Sequence, residues 1–65
     1  MIKVEVVGEI KCGMEQYVVY VNGTYMCERP NPRYANTKAQ AFADRLKADG
    51  HNVSLALANS IRKVA

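Results

Sequence analysis

With 65 residues the chain has material for one domain, and 49% hydrophobic residues with only four glycines and two prolines exclude a disordered or low-complexity polypeptide. No apolar run approaches the ~20 residues of a membrane-spanning helix, so no membrane partner is expected. A formal net charge of +3 and a pI near 9.1 permit contact with phosphate but fall short of the dense basic patch that makes nucleic-acid binding the first reading.

Met1-Ile2-Lys3-Val4-Glu5 lacks the charged-then-apolar layout of a secretory signal, so the expected location is cytoplasmic. In that compartment Cys12 and Cys27 are expected as free thiols, and the sequons at Asn22 and Asn52 carry no meaning. A domain this small buries only about 60% of the surface its unfolded chain exposes, which makes self-association a natural supplement to its stability.

In chain order, Ile2, Val4 and Val6 alternate with Lys3 and Glu5, which is strand periodicity. Val7-Gly8 breaks the alternation and predicts a bulge or strand end. After a short loop at Cys12-Gly13, Gln16 to Glu28 form two β-branched and aromatic runs joined by Asn22-Gly23. A type I′ turn needs positive φ at both central residues, which Asn and Gly tolerate best, so this is a hairpin. Its two-residue loop sets Val21 opposite Thr24, Tyr20 opposite Tyr25, Val19 opposite Met26 and Val18 opposite Cys27. One face then carries Tyr17, Val19, Val21, Thr24 and Met26. The other carries Val18, Tyr20, Tyr25 and Cys27 and ends in Gln16 and Arg29.

Arg29 to Tyr34 reads as an extended connector, because Pro30 and Pro32 each lack an N–H and bias their predecessors away from helix. Thr37, with Gln40 three residues on, has the form of a capping box, and Gly50 closes the helix. Between them Ala39, Phe42, Ala43 and Leu46 form an apolar stripe that must pack on the sheet, with Arg45 and Asp49 placed to pair on the solvent side. Val53, Leu55 and Leu57 alternate like a strand, although Leu57, Ala58, Ile61, Val64 and Ala65 mark one helical face. The strand is preferred, with Ser60 to Ala65 as a turn of helix or a frayed tail. The expected fold is a single α+β domain over residues 1–65, a small antiparallel sheet in the order β-β-β-α-β with one amphipathic helix on one face.

Catalysis needs a nucleophile beside a base and a donor for developing charge. The single histidine, His51, directly follows the helix end, where a cation caps the helix dipole. Cys12, Cys27 and His51 show no close spacing that would pre-position two metal ligands. No phosphate-cradling glycine loop or paired catalytic carboxylates occur. The expectation is a non-enzymatic protein without metal or cofactor, and no small-molecule substrate is implied.

A hairpin apolar on both faces exceeds what one helix can cover. The spare face, built on Tyr20 and Tyr25 with Val18 and Arg29, is either roofed by the chain's own ends, left with its tyrosines in water, or the surface for a protein partner or a homodimer. The last is the functional expectation, because tyrosine offers large contact area at low entropic cost. The alternative is nucleic-acid binding through Arg29, Arg33, Tyr34 and Lys38 with Arg62 and Lys63 of the tail, cations on phosphate and an aromatic ring on a base.

From Gln16 to Asp49, strands meeting at a tight turn followed by Thr37-Lys38-Ala39-Gln40-Ala41-Phe42 opening a helix, the chain resembles the arm-type DNA-binding domain of phage-type integrases. The resemblance implies a sheet face laid against a DNA groove. The corresponding faces here hold tyrosine, valine, methionine and cysteine, with Arg29 their basic residue. As a very short, basic α+β chain it also looks like the accessory proteins of phages and mobile elements.

Overall fold

The computed structural model describes residues 1–58. Four strands and one helix follow in the order β1 (Ile2–Lys11), β2 (Met14–Val21), β3 (Thr24–Arg29), α1 (Pro32–Ala48) and β4 (Val53–Ala56). The sheet order is β3-β2-β1-β4. The first three strands are antiparallel neighbours, and β4 runs parallel to β1. The α+β architecture agrees with the sequence reading, and the return of the chain makes the sheet mixed. A crossover explains it: α1 carries the chain from one border of the sheet to the other, and β4 arrives in the direction of β1.

Strand periodicity decides which side chains meet the helix. Val4, Val6, Tyr17 and Val19 are buried against Ala35, Ala39 and Ala43, with Ile2, Val21, Cys27, Phe42, Leu46, Val53 and Leu55 packed around them. Three fully buried alanines, four apart on α1, let the helix backbone lie close to the valines beneath.

Three local expectations change. β1 is not broken at Val7-Gly8 but stays in register with β2 to Lys11. Gly8 is the cross-strand partner of Tyr17, and a Cβ there would lie 3.2 Å from Tyr17 Cε1, so the aromatic ring occupies the space a side chain would take. The irregularity falls in the second hairpin instead. Beyond Tyr20↔Tyr25 the pairing slips, and Val19 faces Cys27, Val18 faces Glu28 and Tyr17 faces Arg29. Met26 is the extra residue, which turns Cys27 and Arg29 to the helix side. The helix, finally, begins at Pro32, five residues before Thr37. Asn31 is its N-cap, accepting from Arg33 N at 2.8 Å, and Pro32 stands at the first position, where a missing N–H costs nothing. Thr37 instead donates its hydroxyl to Arg33 O one turn back, and Gln40 donates to Asp44. No ion pair joins Arg45 to Asp49 among the described residues.

The C-terminal end of α1 follows the sequence. Gly50, at φ 91°, donates to Lys47 O, and His51 N donates to Leu46 O, the paired bonds of a Schellman motif. β4 forms where alternation predicts it. Beyond it, the Asn36 side chain accepts from Ala58 N at 3.0 Å and donates to Ala58 O at 3.1 Å, tying the segment after β4 to the helix. The expectation for Ser60 to Ala65 lies outside the described residues, as do Arg62 and Lys63.

Candidate functional site

The face of the sheet opposite α1 is built from alternate positions of three strands: Lys3, Glu5, Val7, Glu9 and Lys11 of β1, Gln16, Val18 and Tyr20 of β2, and Tyr25 and Glu28 of β3. No described element packs on it. The bare hairpin reads as apolar here, but β1 supplies alternating charges, and these organise the tyrosines. Tyr20 Oη donates to Glu9 Oε2 at 2.6 Å. Lys11 Nζ donates to Glu28 Oε1 at 2.9 Å, lies 4.0 Å from Glu9 and stands 5.7 Å from the centre of the Tyr25 ring. One lysine thus bridges β1 and β3 above β2, adding a cation–π contact to its ion pair.

These links leave a mark on both proton equilibria. The hydrogen bond to Glu9, with desolvation second, holds the Tyr20 phenol above the ordinary tyrosine value. The hydrogen bond to Glu28 raises the Lys11 ammonium against a smaller opposing effect of desolvation.

The four residues expected to form the recognition face separate. Tyr25 is 52% exposed at the β3 border, and Tyr20 is half-buried and pinned by Glu9. Val18 sits on the same face but has no exposed surface, so it supports the patch from beneath. Arg29 is on the helix side opposite Tyr17, its guanidinium donating to Glu28 O. Reading the hairpin alone missed Glu9, Lys11 and Glu28. The alternation of Glu5, Glu9 and Lys11 along β1 was the available signal, but only a pairing of β1 with β2 puts those charges beside the tyrosines.

The cations of the alternative reading sit elsewhere. Arg33, Tyr34 and Lys38 lie in the first two turns of α1, not in a connector. Tyr34, Lys38 and Arg45 fall along one flank at helical spacing, and no ion pair among the described residues involves Arg33, Lys38 or Arg45. Cys12 is exposed in the first turn and Cys27 is packed at the core edge, unbridged. Among the described residues no three potential ligands converge on a metal position, and no helix is long and apolar enough to cross a membrane. Neither a family model nor a curated protein nor a solved structure matches the chain.

Proposed function

We propose that this domain is a non-enzymatic binding module that docks a protein partner on the open sheet face, with Tyr25 as anchor and Tyr20, Glu9, Lys11 and Glu28 as its fixed polar surround, in the manner of a small phage or bacterial regulator. The observation that carries the reading is a half-exposed tyrosine held under a lysine whose own partners are already in place. Such a residue offers contact area with little further ordering to lose, which is what anchors at protein interfaces supply. The charge of the face argues for protein over nucleic acid. Three carboxylates, Glu5, Glu9 and Glu28, accompany two lysines, Lys3 and Lys11, and both lysines are ion-paired within the domain.

A second reading is favoured by one observation, the exposed Tyr34 along α1 beside cations that form no ion pair among the described residues. A polyanion would lie against the helix rather than the sheet, with Arg33, Tyr34 and Lys38 as contacts. Affinity capture from a bacterial lysate, with and without nuclease, separates the two. Protein docking predicts a partner retained after nuclease and lost with Tyr25→Ala. Material that vanishes with nuclease, falls steeply with salt and is indifferent to Tyr25→Ala supports the helix reading and removes the sheet-face one.

A further inference from the structure

β4 accompanies β1 only from Ile2 to Glu5, and by Ala58 the chain has left the sheet for Asn36 on α1. The outer edge of β1 from Val7 to Lys11 therefore has no ladder partner among the described residues. Two bonds show which way its main chain points. Asn22 N donates to Lys3 O on the β2 side, and Ile2 N donates to Asn52 O on the β4 side. Main-chain groups alternate along a strand, so odd-numbered residues of β1 face β2 and even-numbered ones face outward. Gly8 and Ile10 thus present N–H and C=O groups to an open edge, and the Ile10 side chain is 73% exposed.

We propose that this edge pairs with the same edge of a second copy of the chain, antiparallel about a two-fold axis, with Ile10 opposite the second copy's Ile10. The register follows by elimination, because outward residues must pair with outward residues. Centring the pair on Gly8 drives the second copy's Cys12-Gly13 turn into β4, whose Leu55 and Ala56 flank Val4 and Glu5. Centring it on Glu9 sets two like charges directly opposite, which is destabilising. Centring it on Ile10 places each Glu9 opposite a Lys11, buries the two isoleucines against each other and ends the second copy's turn level with Val7, clear of Ala56. The partner is a second copy because the edge carries its own complement, acid and base one residue either side of the axis. Tyr25, on the far border of the sheet, stays open, while Glu9 and Lys11 serve both this contact and the docking face.

Sedimentation of the full chain over a range of concentrations tests the pairing, with a monomer–dimer equilibrium expected. Ile10→Pro removes an outward N–H and spares the β1–β2 ladder. It should weaken the dimer by about tenfold or more, the loss of two interchain hydrogen bonds, while leaving the melting of the dilute monomer intact. Glu9→Lys should weaken association, and Glu9→Lys combined with Lys11→Glu, in variants whose far-UV spectrum and melting show the fold retained without the Glu9–Tyr20 and Lys11–Glu28 bonds, should restore it. Tyr25→Ala should leave association unchanged. A strict monomer at every concentration, a dimer untouched by folded Ile10→Pro, or a charge reversal that fails to restore what Glu9→Lys removes would overturn the proposal.

Discussion

Asn22 shows how much one residue carries in so small a domain. It holds φ 51° at the first position of the second turn, where glycine follows at φ 81°. Its side chain also accepts from Lys3 N at 2.8 Å while its main-chain N–H donates to Lys3 O at 2.7 Å. The turn thereby fastens itself to β1 as well as joining β2 to β3. The two roles separate by substitution. Asn22→Gly keeps the backbone free but loses the side-chain bond, and should cost about 1 kcal/mol. Asn22→Ala loses the bond and adds left-handed strain, for a total of about 2–3 kcal/mol. Urea unfolding with an unchanged m-value measures both, and equal costs would mean that only one role matters. The turn was legible from Asn-Gly alone. Its bond to Lys3 was not, because 19 residues of chain separate the partners.

At the scale of the element, the helix start is where local rules competed. The two prolines make Arg29 to Tyr34 read as an extended connector and leave the capping box at Thr37 to Gln40 as the expected beginning, although Pro at the first position behind an Asn cap is itself compatible with a helix. Tertiary packing chose the earlier, because starting at Pro32 brings Ala35 onto the sheet beside Ala39 and Ala43. Asn31→Ala should therefore destabilise the domain by about 1 kcal/mol, whereas Thr37→Ala, removing only a back-bond within the helix, should change stability by less than about 0.5 kcal/mol. Thermal melts of the two variants distinguish the caps, and the reverse order of effects would restore the later start. The slip after Tyr20 is of the same kind. The turn dictates the first pairs, but the bulge at Met26 brings Cys27 rather than Met26 onto the core.

Over the whole molecule, the network of Glu9, Tyr20, Lys11, Glu28 and Tyr25 ties three strands together on the side the helix leaves open. Both titrating members have raised proton affinities in the fold, through hydrogen bonds to Glu9 and to Glu28. A raised folded value means that the contribution is complete below the unfolded pKa, about 10 for tyrosine and 10.4 for lysine, and is lost as pH climbs through the folded values. The melting temperature should thus be insensitive to these groups at neutral pH and fall in alkali. Tyr20→Phe should remove a phenolate step lying above the ordinary tyrosine range and blunt that fall. An alkaline profile unaltered in Tyr20→Phe would show that the Tyr20–Glu9 bond adds nothing to stability.

The element types, the tight turn at Asn22-Gly23, the glycine end of α1 and the return strand at Val53 are all legible in the order of residues, because each follows from backbone sterics and side-chain period within a few residues. The start of α1, the run of β1 past Gly8 beneath the Tyr17 ring, and the charges of β1 lying over the tyrosines of the hairpin emerge only once the chain is folded. Those outcomes depend on which distant segments lie side by side. Pairing across a sheet is chosen by the summed burial of whole strands, which no local pattern records.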